Sequence, residues 1–404
     1  MGKEIRERFH NKSKTMLDLK KVRAKEIEDQ SSALNYFNPT KDLANKLHPV
    51  YVFTKIASIV EETPDIRTYR LVPDFSKGTK DVPTFRAGQA ISIFAEIDGS
   101  TITRPYTLSS SPIDALQQHY WEVTIKKDNN GFFTPWLWEN WKVGTEVKSS
   151  SPFGFLYHDY IRDTNEIVAI VGGSGVSVAR TLARDIIQND LPYNCTVLYG
   201  ARTQADLAFK DEFDKYDKES GGKVKVTYVL SDEGSKDWSG ETGFINADII
   251  SKAGDPAKKT YFLCGPKAMY DFLAGEFEKL GVPKFRVRQE AVGSVDITKY
   301  EEFPKDQIGK VYKLTVTCGN AHVDIEAKAD ESMMTALERN GIAIPARCRG
   351  GECGFCNSLL VKGDVFYRPD AEYRRIGDLR FNHIHPCVTY PLSDAEIEIQ
   401  LVQE

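Results

Sequence analysis

The sequence predicts a chain of three domains behind an N-terminal arm: an antiparallel β-barrel, a doubly wound parallel α/β sheet and a third strand-rich unit. Three observations carry that expectation. The 404 residues leave room for two or three domains at about 150 residues each. The hydrophobic pattern switches from short β-branched runs to strand–helix alternation and back again. Four of the seven cysteines, Cys348, Cys353, Cys356 and Cys387, crowd into the last unit.

Composition narrows the class. With 41 % hydrophobic and 27 % charged residues, the chain has ordinary globular content and enough apolar material for packed cores. It lacks an apolar run of the ~18 residues that a membrane-spanning helix needs, and its beginning lacks the apolar core of a secretory signal. The expectation is therefore a cytoplasmic protein without a transmembrane segment. A formal charge of −5 argues against a dedicated nucleic-acid binder. Residues 1–50 depart from the rest, with eleven Lys/Arg against seven Asp/Glu, a local net of +4. Ile5, Phe9, Met16 and Leu19 fall at near-helical spacing, which predicts a helix to about residue 30 in a basic extension.

From 51 to 160, runs such as YVFTKIASIV, IRTYRLV, GQAISIFAEI and YWEVTIKK are separated by Gly, Pro and Asp turns. Six or so short strands without long helices predict a small antiparallel barrel. From 161 to 293 the buried-strand run IVAIVGG leads into the helical VARTLARDII. CTVLYGAR, VKVTYVLS and TYFLCGP then alternate with helical segments, the pattern of a parallel sheet. A polar linker is expected over 294–310, and a strand-rich unit over 311–404.

The last unit holds Cys348-Arg-Gly-Gly-Glu-Cys353-Gly-Phe-Cys356 and, thirty residues on, Cys387. This C-x4-C-x2-C…C spacing is that of plant-type 2Fe–2S ferredoxins. Three thiolates on one tight loop and a fourth from afar can enclose two irons and two sulfides. Glycines 350, 351 and 354 let the loop curl so that N–H groups meet the sulfurs. Structural zinc, the competing reading, usually draws on two C-x2-C knuckles, and only one is present. His383 and His385 are read as surface or loop-packing residues. Arg347 and Arg349, flanking Cys348, are read as solubilising charge, with a docking face as the alternative. Residues 311–404 resemble a plant-type ferredoxin throughout, which implies an α+β β-grasp domain with a helix at Ser332–Asn340.

Arg104-Pro105-Tyr106-Thr107-Leu-Ser-Ser110 resembles the flavin motif of the ferredoxin–NADP reductase family. The resemblance implies an Arg104 fork on the flavin phosphate, the Tyr106 ring against the isoalloxazine, and a Thr107 hydroxyl near flavin N5. Gly131-Phe-Phe-Thr134 occupies the place of the family's pyrophosphate element at a helix start, which favours FAD over FMN. Gly172-Gly173-Ser174-Gly175 resembles the family's nicotinamide loop, continuing with Ser177-Val178 where most members have Thr-Pro. Cys264-Gly265-Pro266 matches its C-G-P element, and Arg202 is placed along the adenosine half. Asp206 stands where many members carry an acid, and no dense basic cluster awaits a 2′-phosphate, so NADH is favoured over NADPH. Glu290 matches the family's terminal glutamate, with Val292 in place of the usual aromatic. Thr107, Cys264 and Glu290 are the implied catalytic residues.

The domain order resembles the phthalate dioxygenase reductase type. A hydride donor delivers two electrons and a 2Fe–2S cluster accepts one, so a flavin must stand between them. The implied activity is NAD(P)H-dependent electron transfer through FAD and the cluster to a partner protein such as an oxygenase. A non-catalytic electron-carrier subunit, or a reductase of a quinone or free flavin, are the alternatives.

Overall fold

The computed structural model describes residues 2–29, 39–232, 238–290, 293 and 295–400. Residues 1–47 form a unit of their own with two helices, α1 (Gly2–Glu28) and α2 (Pro39–Leu47). Met16, Leu17, Leu19, Val22 and Ile27 of α1 are exposed. Among the described residues no helix is long and apolar enough to cross a membrane. Residues 48–404 form the second unit.

That unit opens with β1 (Tyr51–Thr63), β2 (Ile66–Pro73), β3 (Ala90–Ile97), β4 (Ser100–Thr107), β5 (Trp121–Lys126) and β6 (Glu146–Ser150). They pair antiparallel in the order β4-β3-β6-β1-β2-β5. A bridge between Leu108 and Val123 joins the two ends, so the sheet closes as a barrel. Alternation drives this: Val52, Thr54 and Ile56 point inward from β1, meeting Tyr69, Ile91 and Trp121 in the core. Two helices, α3 (Pro112–Gln118) and α4 (Phe133–Asn140), flank β5 in sequence.

The next six strands are β7 (Glu166–Gly172), β8 (Asn194–Ala201), β9 (Val224–Leu230), β10 (Glu241–Thr242), β11 (Thr260–Cys264) and β12 (Val287–Gln289). All pair parallel in the order β10-β9-β8-β7-β11-β12. The helices between them are α5 (Val176–Gln188), α6 (Lys210–Glu219), α7 (Ala247–Lys252) and α8 (Lys267–Lys279). β7 is buried on both faces: Ile167, Ala169 and Val171 enter one core, Val168 and Ile170 the other. The chain runs outward in both directions from β7 and β11, so a crevice opens at their carboxyl ends, the usual ligand position in such sheets.

The stretch expected as a polar linker is packed: Ile297 and Phe303 are fully buried against Ala329 and Tyr390 of the last domain. That domain contains β13 (Val311–Cys318), β14 (Ala321–Lys328), β15 (Ser358–Lys362), β16 (Val365–Tyr367), β17 (His383–Ile384), β18 (Thr389–Pro391) and β19 (Ala395–Glu398). The mixed sheet β14-β13-β19-β15-β17 grips α9 (Met333–Arg339), which buries Met333, Met334, Ala336 and Leu337, a β-grasp. A short helix α10 (Ile376–Arg380) lies before β17.

Candidate functional site

Two cavities meet at the crevice. One, of about 720 Å³, lies along the carboxyl ends of the parallel sheet; the other, of about 750 Å³, lies between barrel, sheet and β-grasp domain. Ser174, Gly175, Cys264, Gly265 and Glu290 line both. The second cavity is also lined by Cys348, Glu352 and Tyr373 of the β-grasp domain.

Glu290 is the hinge of this junction. Its Oε1 accepts from the Thr107 hydroxyl at 2.6 Å and its Oε2 from the Cys264 thiol at 2.8 Å. One carboxylate thus ties the end of β4 in the barrel to the end of β11 in the parallel sheet, and gathers the three residues singled out as catalytic. Burial, and then the Glu290 charge, push the Cys264 thiol up, so it stays protonated and donating. Val292 lies outside the described residues; among the aromatic rings that line this cavity is Tyr373 of the β-grasp domain, hydrogen-bonded to Gln289.

Arg104, Pro105, Tyr106 and Thr107 line the second cavity. The Arg104 guanidinium lies over the rings of Phe132 and Phe133 at 5.7 and 5.6 Å, at the start of α4. No side chain caps that helix start, leaving its backbone N–H groups free for an anion. Among the described residues the hydrogen bonds of Arg104 all use Nη1, to the Thr103 carbonyl and the Glu338 carboxylate, so its Nε–Nη2 edge is open. A cation fork beside an uncapped helix start, with an aromatic-lined cavity next to it, fits a flavin nucleotide.

Three residues expected to contact the flavin lie outside the lining of the two cavities. Ser110 is fully buried and its hydroxyl accepts from the Glu122 N–H at 3.0 Å, bracing β5 and lining neither cavity. Gly131 is exposed, and the Thr134 hydroxyl accepts from the Asp128 N–H at 2.8 Å. Both sit at the α4 turn near Arg104, outside the two cavities.

Gly172, Gly173, Gly175, Arg202, Gly265 and Pro266 all line the first cavity. Gly175 is required by close approach, because a Cβ there would stand 2.0 Å from the Cys264 carbonyl oxygen. The loop after β7 therefore touches the end of β11, and its glycines bring bare backbone to the wall of the cavity. Asp206 accepts from the Thr203 N–H and hydroxyl at 3.0 and 2.9 Å, so it caps its own turn beside Arg202. Phe244 and Phe272, 5.9 Å apart, add an apolar wall that no local motif marks.

The four clustered cysteines come together as two pairs. Cys348 Sγ accepts from the Gly350 and Cys353 N–H groups at 3.4 and 3.3 Å, and the Cys353 thiol is hydrogen-bonded to it. Cys356 and Cys387 Sγ are 3.5 Å apart. The hydrogen bond from the Cys353 thiol, opposed by burial and helped by the loop amides, shifts the Cys348 thiol downward. Among the described residues no group of three or more His, Cys, Asp or Glu is arranged around a single ion. Three thiols on an amide-lined loop and a fourth, Cys387, from a distant segment, brought together as two pairs, are a donor set for a two-iron rhomb. Gly351, at φ +84°, turns the loop where a Cβ would lie 2.9 Å from the Ala371 carbonyl oxygen. His385 is buried and its Nδ1–H donates to the Gly351 carbonyl at 2.7 Å, a loop brace; His383 is bonded to Asn357. Arg349 is no surface charge: it is 3 % exposed and paired with Glu338 at 2.8 Å. Arg347 stacks on Phe355 at 3.8 Å. Cys318, Cys195 and the remaining thiols are all free; Cys195 is inert in the sheet core, pushed up to about 12 by burial.

Comparison with known proteins agrees with this layout. Residues 54–158 match the oxidoreductase FAD-binding domain, 169–274 the oxidoreductase NAD-binding domain, and 316–392 the 2Fe-2S iron-sulfur cluster binding domain. The chain is 24 % identical over 378 residues to a glycine betaine monooxygenase reductase subunit from Chromohalobacter salexigens, covering 90 % of this chain and 99 % of that protein. It is 30 % identical over 200 residues to NADH-cytochrome b5 reductase 1 of Kluyveromyces lactis, covering 49 % of this chain and 69 % of that one. The solved structure of phthalate dioxygenase reductase superposes with a TM-score of 0.62 at 21 % identity, over 90 % of this chain and all of that one, which establishes the shared fold.

Proposed function

The chain belongs to the ferredoxin–NADP reductase superfamily, in the phthalate dioxygenase reductase-like arrangement, and from that premise we propose that it passes electrons from NADH through FAD and a 2Fe–2S cluster to a partner protein such as an oxygenase. The single observation that carries this reading is the run of cavities. The nucleotide crevice and the flavin cavity share Cys264 and Glu290, and the lining of the flavin cavity also includes the cluster cysteine Cys348. A nicotinamide supplies a two-electron hydride, a flavin takes both electrons and releases them singly, and a 2Fe–2S cluster carries one at a time.

The residues divide the remaining work. Gly172, Gly173 and Gly175 leave the loop backbone bare for a dinucleotide pyrophosphate, and Gly265 and Pro266 end the wall against which the nicotinamide would lie. Glu290, itself half-buried, holds the buried Cys264 thiol and Thr107 hydroxyl in fixed orientations at the meeting point. With its proton committed to Glu290, the Thr107 oxygen keeps its lone pairs free to accept from the flavin. Arg104 offers its Nε–Nη2 edge to the flavin phosphate, and the start of α4 near Gly131 and Thr134 offers N–H groups to the rest of a pyrophosphate, which favours FAD over FMN. Asp206 beside Arg202 disfavours a 2′-phosphate and so favours NADH over NADPH. Cys348 with Cys353, and Cys356 with Cys387, would each hold one iron. Cys353 is partly exposed beside Phe355, in a groove that also includes Tyr373 and Arg375, and this is the proposed exit. Free thiols throughout accord with a cytoplasmic location.

Stopped-flow mixing of the purified protein with NADH tests the reading. Flavin bleaching should precede cluster bleaching, and C353S should keep the first phase and lose the second. Absence of flavin reduction by either nicotinamide nucleotide would reject it.

A further inference from the structure

We propose that Glu338, a residue of the β-grasp domain, positions Arg104 for the flavin phosphate, so that docking of this domain and retention of the flavin support one another. The inference rests on the flavin-reductase reading and adds to it a residue from a different domain. Glu338 sits on α9 and is 5 % exposed. Its Oε1 accepts from Arg349 Nη1 at 2.8 Å, from Arg104 Nη1 at 3.3 Å and from the Thr103 N–H at 3.3 Å. Its Oε2 accepts from Arg104 Nη1 at 3.2 Å. The Thr103 carbonyl holds the same Nη1 from the barrel side at 2.8 Å.

The geometry selects one edge of the guanidinium. With Nη1 committed to Thr103 and Glu338, the parallel N–H groups of Nε and Nη2 form the fork that suits a phosphate. They meet no acceptor among the described residues, and Arg104 lines the flavin cavity. The charge count points the same way. Two arginines share one carboxylate in this buried contact, which leaves one positive charge for an anion to balance. Burial, and then the Arg349 charge, pull the Arg104 pKa down, and a phosphate would relieve both. If Glu338 holds Arg104 only while the domain is docked, linkage makes phosphate binding favour the docked state by the same factor.

The test uses the full chain with its cluster in place and the flavin removed. FAD and riboflavin are titrated into wild type, E338Q, E338D, R104Q and E338Q/R104Q, reading flavin fluorescence; riboflavin keeps the ring system and lacks the phosphate. E338Q should weaken FAD binding about tenfold, the worth of one charge-assisted contact, and riboflavin binding less than about twofold. E338D, which keeps the charge, should recover part of the loss, and E338Q should add nothing in the R104Q background. An unchanged visible circular dichroism of the cluster checks that the domain is intact. Equal losses for FAD and riboflavin, additive effects in the double variant, or no loss at all would overturn the proposal and leave Glu338 a packing contact. Failure of wild type to bind either flavin would instead reject the flavin reading itself.

Discussion

The barrel is fastened to its two neighbours by buried charges, and the two fastenings are built differently. Toward the parallel sheet, Glu122 of β5 takes Arg70 at 2.8 Å, Arg180 at 2.8 Å and Arg184 at 3.5 Å. Arg184 also pairs with Asp114 at 3.0 Å, and Arg180 with Glu212 at 2.9 Å. Three arginines thus meet three carboxylates, and the network is balanced. Toward the β-grasp domain, two arginines meet the single carboxylate of Glu338. The pKa directions record the difference. Burial lowers Arg180, but Glu212 and Glu122 outweigh it and the net shift is upward; Arg104 is shifted downward by burial and Arg349. A balanced network is complete as protein, whereas an unbalanced one has charge left over for a ligand.

Removing the centre of the balanced network should give the largest effect on folding. E122Q leaves the Arg180 and Arg184 guanidiniums, both mostly buried, short of one charge. Breaking a buried pair from one side costs on the order of 3 kcal/mol. Denaturant unfolding of E122Q should show a loss of that size, with no preference between FAD and riboflavin in the binding that remains. A loss below about 1 kcal/mol, or a selective loss of FAD, would erase the contrast with Glu338.

Acid should act on the same network. Burial raises the Glu122 pKa, but Arg180 and the hydrogen bonds from Arg70 and Arg180 outweigh it, so the folded-state value lies below the ordinary 4.5. A carboxyl depressed on folding contributes stability that is full above its unfolded pKa and is lost as pH falls through the folded one. The gap in melting temperature between wild type and E122Q should therefore be constant near neutrality and narrow below about pH 4.5. A gap unchanged at pH 4 and below would show that Glu122 acts by shape and not by charge.

These contrasts show what sequence could disclose. The cluster cysteines, Arg104 to Thr107, the glycine loop and Cys264-Gly265-Pro266 were legible because their chemistry is local: spacing along a few residues fixes which atoms can meet. The barrel and the parallel sheet were legible from period alone. Glu338 was not, since it meets Arg104 across 234 residues of chain and nothing near it in sequence marks it. Tyr373 was missed for the same reason. Arg349 was misread because a charge beside an exposed-looking loop is usually solvated, and only the fold reveals the carboxylate that buries it.

Ser110 gives the finest discrimination between the two fastenings. The motif it ends implies a flavin contact, yet its hydroxyl accepts from the Glu122 N–H and it lies in neither cavity. In position it belongs to the balanced side: next to it, the Ser109 carbonyl accepts from Arg180 at 3.2 Å, and the Ser109 N–H donates to the Glu122 carbonyl. S110A deletes one buried acceptor and leaves the Glu122 N–H unsatisfied, a loss of about 1 kcal/mol. FAD and riboflavin affinities should both stay within about twofold of wild type, because no flavin-facing group is touched. A selective tenfold loss of FAD would return Ser110 to the flavin site and would mean that the barrel's end rearranges when the nucleotide binds.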